Sequence, residues 1–409
     1  MSQNLKHVIV VGSGLAGLSA SLEIEKLGGV VTLVEQSGEI GGRLKTDSFN
    51  GFLLDHGFQV LLSSYPEVKK LNILNSLNVK PFKSGAICHK ESAAYTLINP
   101  LANFMEFCFN ALKLSPFFYI DFLKLARMTL IDDIRDESTE ELFDRSNLSD
   151  NFRSYFLKPF FGGVFLDIQL QAQSEIFFRY LKLFILGSAT LPERGMHSLP
   201  RLMKSKLKKT HLILNQQVRE FGEGYVCLAD GKKIIGDSLV IAVENPAFEK
   251  LVGPATTKDY QSTYCIYFSV PAGLIKKSTY IHLGAQGPIT NLSVLNHIQP
   301  SYAPKGFDLI SATVIDPQWY LRKDIVKLVK ENISSWFSIS EKKLCFIKEY
   351  YIKYALPSQE NPPILENKIQ LDGYKRVYIA GEKVMAPSIN GALASGKKAA
   401  QAAIYQADV

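Results

Sequence analysis

The chain has 409 residues, of which 46% are hydrophobic and 21% charged, with a formal net charge of +7. That length exceeds one compact core and suits two domains of ordinary size, in a globular rather than a disordered or fibrous composition. The basic surplus is scattered, densest at Lys204, Lys206, Lys208, Lys209, Lys397 and Lys398, whereas nucleic-acid binders concentrate charge along one face, so no nucleic-acid partner is expected; weak contact with an anionic membrane surface stays open.

From the N-terminus, the β-branched run Val8–Val11 leads through Gly12, Gly14 and Gly17 into an apolar helix that ends near Leu27, with Gly28–Gly29 as its stop. A second β-run, Val30–Val34, follows at once. Strand, helix and parallel strand in about 30 residues make a βαβ unit. Residues 95–194 carry aromatics and leucines at helical spacing, through Phe104, Phe107, Leu112, Phe117, Phe118, Phe122 and Leu125, then Phe177, Phe178, Leu181 and Phe184. This region is expected to be mainly helical.

Short strands are expected at Leu212–Leu214, Tyr225–Leu228 and Leu239–Val243, two of them separated by the turn Asp230–Gly231. Further strands are expected at Tyr264–Val270 and Leu309–Val314, and a helix from Asp324 to Phe337. The closing segment reverses the opening order: RVYIAGE (Arg376–Glu382) reads as a strand ending in glycine, and Ile389–Ile404 as a small-residue helix. The five cysteines, Cys88, Cys108, Cys227, Cys265 and Cys345, lie far apart with no CxxC pair. They read as reduced thiols of a cytoplasmic protein, peripheral to a membrane at most, rather than as disulfides or metal ligands. Neither a secretory signal core nor a membrane span of roughly 18 apolar residues is legible.

One glycine would make the first turn; three need a further reason. Gly12 allows the tight turn, Gly14 lets the backbone approach a pyrophosphate, and Gly17 lets helix and strand pack closely. The amides at the helix start, around Leu15 and Ala16, and the positive end of the helix dipole then favour phosphate. Glu35 ends the second strand, where an acid accepts a ribose hydroxyl. A ligand containing adenosine diphosphate follows. The stretch GEIGGRLKT places Gly42 just ahead of Arg43, whose guanidinium could reach a pyrophosphate or a flavin edge, and a simple NAD domain needs no such loop.

With GSGLAGLSA, VTLVEQSGEIGGRLKT and YIAGEKVMAPSINGALASGKKAA in this order, the sequence resembles FAD-dependent oxidoreductases of the monoamine oxidase, phytoene desaturase and protoporphyrinogen oxidase type. PFFGGVFL and GMHSLPRLM also resemble segments of that family. The resemblance implies an α/β fold: a Rossmann-like FAD-binding domain of the GR2 type with a second, mixed α+β substrate domain. The cofactor domain would comprise 1–85, 195–245 and 355–409, and the substrate domain 86–194 and 246–354. It also implies that Gly381 and Glu382 meet the ribityl chain, where the family usually has Asp. Ile389, Asn390, Gly391 and Ala392 would face the flavin N1–C2 edge, and Val218 would touch adenine.

Amine oxidases of this family set an aromatic ring three residues before the glycine of the last motif; here that position is Ser388. The departure disfavours small amines and fits the branches with large apolar substrates, for which the aromatics of 101–190 are candidate lining. The expected activity is removal of hydride from a C–H bond of an apolar, isoprenoid-like substrate, with oxygen or a quinone as acceptor. A flavin-dependent isomerase, an amine oxidase and a non-catalytic flavin-binding protein remain alternatives. His56, Arg194 and His197 are weak candidates for the flavin's surroundings, Asp55 is assigned to a turn, and catalytic residues are not assigned.

Overall fold

The computed structural model describes residues 5–90, 93–98, 117–131, 135–253, 259–360 and 369–405. The strand β1 (His7–Val11) passes through a turn in which Gly12 holds φ +97°, and enters helix α1 (Leu15–Lys26). A residue other than glycine would be strained at that φ. Gly17 brings the helix onto the turn: a Cβ there would lie 1.8 Å from the Gly12 carbonyl oxygen. Strand β2 (Val30–Val34) then pairs with β1 in parallel. Both strands are almost wholly buried, which is why they read as unbroken apolar runs rather than alternating ones.

Downstream, β3 (Gly85–Lys90) and β4 (Ala93–Ile98) form a hairpin, followed by helices α2 (Phe117–Ile131), α3 (Lys158–Phe165) and α4 (Ser174–Leu186). The chain returns to the first sheet with β5 (His211–Ile213) and β6 (Ser238–Ile241). It leaves again through β7 (Tyr260–Pro271), β8 (Ile281–Gly284), β9 (Asn291–Val294), β10 (Phe307–Val314), helix α5 (Ile325–Phe337) and β11 (Cys345–Pro357). Last come β12 (Val377–Ile379) and helix α6 (Ile389–Tyr405).

Two sheets organise these elements. The first is parallel, in the order β5-β2-β1-β6-β12. In chain order that is third, second, first, fourth, fifth, the doubly wound arrangement whose ligand crevice opens at the carboxyl ends of the strands, where the order reverses between β1 and β6. The second sheet runs β11-β7-β10-β9-β8-β3-β4, antiparallel except for the β8–β3 pair. One face carries Ile266, Phe268, Leu292, Val294, Ile310 and Val314 against Val329 and Ile333 of α5. The phenylalanines of the helical region, Phe143, Phe152, Phe161, Phe165, Phe177 and Phe178, make a separate core.

The sequence reading and the structure part in a few places. The region taken as mainly helical from residue 95 opens instead with the end of β4, which has a hairpin partner in β3; Phe104, Phe107 and Leu112 lie outside the described residues. The Asp230–Gly231 turn joins Tyr225–Leu228 to Lys233–Ile235, a strand not anticipated because its pattern is short and exposed. Strand β11 runs past residue 354 to Pro357 because β7 pairs with it that far.

The two terminal helices touch more closely than ordinary side chains allow. A Cβ on Gly396 of α6 would lie 2.1 Å from the Ala16 carbonyl oxygen of α1, and Ser19 Oγ donates to the Leu393 carbonyl at 2.6 Å. Gly396→Val must therefore push the helices apart, with an expected loss of about 3 kcal/mol on the scale of core overpacking. Chemical denaturation measures this, and an unchanged unfolding midpoint would contradict the contact.

Candidate functional site

Both helix starts open on one cavity of about 1800 Å³. An ordinary small-molecule pocket has roughly 300–1,000 Å³, so this one has room for two ligands. Its lining includes Gly12, Gly14, Leu15 and Ala16 from the first turn, Glu35 from the end of β2, Gly42 and Arg43 from the following loop, and Val218 from the strand Val218–Gly222. Gly381, Glu382, Ile389 and Ala392 reach it from the C-terminal segment. At the other end it continues between Phe122, Phe156, Phe160, Leu181 and Phe184 of the helical region and Leu283 of the second sheet.

Gly14 is the most informative of these residues. Its φ of −65° is open to any amino acid, and a Cβ built there would meet nothing in the protein within 4 Å. Packing and backbone strain give no reason for glycine, so the space in front of it is the reason. Gly41 and Gly42 hold φ of +112° and +60°, and the Gly41 amide donates to the Ser13 carbonyl at 3.0 Å, docking the second glycine loop against the first turn.

Glu35 is held from two sides. One carboxylate oxygen accepts from the Ser13 amide and hydroxyl, both at 2.8 Å; the other accepts from the Ser37 amide and hydroxyl, both at 2.9 Å. The Ser37 hydroxyl also reaches the Glu39 carbonyl at 2.6 Å. A hydroxyl has a single hydrogen to donate, so when Ser37 turns to Glu39 one lone pair of Glu35 is open to a ligand hydroxyl.

Arg43 and Glu382, 339 residues apart in the chain, form a bidentate pair at 2.5 and 3.0 Å. The Glu382 side chain is 6% exposed and also accepts from the Asn245 amide and the Tyr260 hydroxyl. Burial raises its pKa, but the Arg43 hydrogen bonds and charge, with Tyr260, outweigh that and leave it below the usual carboxylate range. Tyr260, at the start of β7, is correspondingly pushed up by burial and by the Glu382 charge. Arg43 Nε is inaccessible to solvent and donates to no protein group. Both that orphaned donor and the open space at Gly14 fit a large polyanionic cofactor.

Some residues named from sequence stand elsewhere. Asn390 does not line the cavity; its side-chain oxygen accepts from the Glu67 amide at 3.0 Å and holds the start of the helix Pro66–Leu71. Gly391 is needed by the chain itself, since a Cβ would sit 2.0 Å from the Ala386 carbonyl oxygen. Gly17 likewise serves packing. Ser388 does line the cavity and caps α6, its hydroxyl accepting from the Gly391 amide at 2.9 Å.

Asp55 is no turn residue. It lies fully buried at the end of the strand Phe52–Asp55 and accepts from Thr46, the Met196 amide and Tyr302. His56 lines the cavity, its ring 4.4 Å from that of Tyr350 and tilted by 32°, and is bonded to Asp47 at 3.0 Å. Arg194 is exposed, and His197 is buried against the Ile40 carbonyl at 2.9 Å, bracing the second glycine loop. His89 and His282 pair at 2.9 Å on the α5 side of the second sheet, where burial lowers them to about 4 and about 3. Among the described residues no group of His, Cys, Asp or Glu could hold a metal ion, and no helix is long and apolar enough to cross a membrane. Tyr65, Tyr180 and Tyr260 at the site were missed, since each lies outside any motif.

The ion pair predicts a pH dependence. A carboxyl held below its unfolded pKa stabilises fully above about pH 4.3, and that contribution drains as pH falls towards the folded value. Arg43→Met leaves Glu382 buried without its partner and should lose roughly 3 kcal/mol at neutral pH. Glu382→Gln should flatten the acid side of the stability profile measured by urea denaturation; an unchanged slope would remove the pair from the account.

Comparison with known proteins agrees with this geometry. Residues 15–404 match the family described as flavin containing amine oxidoreductase. Protoporphyrinogen oxidase 2 of Arabidopsis thaliana is 28% identical over 172 residues, 39% of this chain and 32% of that protein. The 4,4'-diaponeurosporene oxygenase of Staphylococcus aureus is 40% identical over 60 residues, 15% of this chain and 12% of that protein. Each match thus spans a third or less of the curated relative. A crystal structure of an oxidoreductase from Methanosarcina mazei superposes with a TM-score of 0.76 at 15% identity, covering 95% of this chain and 98% of that one, and so shares the fold. The chain belongs to the flavin containing amine oxidoreductase family.

Proposed function

We propose that this enzyme removes hydride from a C–H bond of a large, mainly apolar substrate of isoprenoid kind, held in the aromatic end of the cavity. The observation that carries this reading is the continuity of one cavity from the two helix N-termini into a chamber walled by Phe122, Phe156, Phe160 and Phe184. Ser388, where amine oxidases of the family place a ring, supports it from the other side. The two curated relatives are named for protoporphyrinogen and diaponeurosporene, not for a small amine.

FAD, when bound, supplies the hydride acceptor, and the protein supplies binding, orientation and electrostatics. In this reading the amides of Gly14, Leu15 and Ala16, with the α1 dipole, hold the diphosphate, and Gly12 and Gly17 shape that turn. Glu35 would accept from the adenosine ribose, Val218 would face adenine, and Gly42 and Arg43 would hold the diphosphate. Glu382, fixed by Arg43 and Tyr260, and Gly381 would meet the ribityl chain. Ile389 and Ala392 bring the positive end of α6 to the ring edge where negative charge develops, while Asn390 braces that end through Glu67. Aromatic walls exclude water from the reacting carbon.

Two measurements test this reading. Gly14→Val should fold, since a Cβ there meets no protein atom within 4 Å and the backbone is unstrained, yet purify without flavin; a folded variant with a full flavin complement would refute the assignment. Under anaerobic conditions the flavin absorbance should bleach with polyisoprenoids and not with putrescine or benzylamine. Bleaching by the amines alone would favour an amine oxidase. Turnover without any acceptor would instead indicate an isomerase, and reoxidation by oxygen or by a quinone identifies the acceptor.

A further inference from the structure

The wall of the chamber formed by the second sheet is not uniformly apolar. Asn291 on β9 and Thr313 on β10 are direct cross-strand partners, with Leu283 beside Asn291 on β8. Both polar residues line the cavity, at 4% and 2% exposure. Asn291 Oδ1 and Thr313 Oγ1 are inaccessible to solvent and have no hydrogen-bond partner in the protein. The opposite helix makes room for the amide: a Cβ on Gly163 of α3 would lie 2.7 Å from Asn291 Nδ2.

An unpaired buried polar atom costs about 1–3 kcal/mol, and here two lie side by side, with the unpartnered Thr263 hydroxyl of β7 on the same cavity. Opposed residues on neighbouring antiparallel strands have Cβ atoms roughly 4.5–5.5 Å apart, so one small group can reach both. An amide oxygen only accepts, whereas a threonine hydroxyl both donates and accepts. A ligand hydroxyl satisfies the pair completely, donating to Asn291 and accepting from Thr313. A carboxylate has no hydrogen to donate to Asn291 Oδ1, and an ammonium, although it can donate to both oxygens, would bury a charge that no protein group here offsets.

Resting on the function proposed above, we infer that Asn291 and Thr313 form a hydroxyl-binding subsite, so that the substrate class is a long apolar alcohol rather than a pure hydrocarbon. Gly163 sets the position of the amide. A site built to bond a hydroxyl discriminates against the analogue that lacks one, because its own polar groups are then left unpaired.

The test uses the flavin-loaded enzyme and three probes: geranylgeraniol, its methyl ether, and the hydrocarbon of the same chain length, titrated by perturbation of the flavin spectrum. The alcohol is expected to bind at least about tenfold more tightly than the other two, or about 1.4 kcal/mol. Thr313→Val and Asn291→Leu should bring the three within about twofold, with hydrocarbon binding retained, while Thr313→Ser keeps the preference. Flavin content and thermal midpoint control for folding, and the near-isosteric Thr313→Val decides if Asn291→Leu loses flavin. Equal binding of all three probes by the wild type, or an undiminished preference in Thr313→Val, overturns the subsite and leaves the apolar chamber standing. Binding of none of them overturns the chamber and the subsite together.

Discussion

The architecture depends on the close approach of two helices from opposite ends of the chain. Gly396 lets α6 rest on the backbone of α1 at Ala16, and Ser19 fastens the pair at Leu393. Because of that contact two helix N-termini, each with unsatisfied amides and a partial positive charge, face one cavity. An elongated cofactor with a diphosphate at one end and an electron-accepting ring at the other suits two such termini. The Arg43–Glu382 pair ties the same two chain segments together at the cavity itself.

The cofactor end was legible in sequence because there a chemical demand acts on the backbone. Gly12 and Gly17 are required by the chain's own geometry, and Gly14 by the room left in front of it; all three leave a spacing visible without coordinates. Glu35 and Arg43 follow at fixed distances along the same unit. The extreme C-terminal motif was readable for a similar reason, although sequence alone could not separate residues facing the cavity from those bracing it. Asn390 and Gly391 sit between Ile389 and Ala392, and one turn of helix sends the middle pair elsewhere.

The substrate end was much less legible. Phe161 belongs both to the buried core of the helical region and to the lining of the cavity, while Phe177 belongs to the core alone; the same periodicity describes both. Tyr260 meets Glu382 from far along the chain, and Asn291 meets Thr313 across neighbouring strands, so both meetings are set by pairing and register and not by the spacing of a motif. In β9 the run NLSV is buried on both faces, and alternation cannot mark its polar side. Only the placement of α5 on one face and the cavity on the other gives Asn291 and Leu292 their different roles.

The order of the parallel sheet has a consequence for biosynthesis. Its edge strand β12 and the helix that covers α1 leave the ribosome long after β1 and β2 have emerged. Until then β6 presents an open edge, and the small-residue face of α1 has nothing to rest on. Contacts between such distant segments form slowly, and an uncovered sheet edge in a nascent chain is prone to wrong pairing. Helper proteins and an early supply of cofactor would matter most in that interval, between synthesis of α1 and arrival of α6.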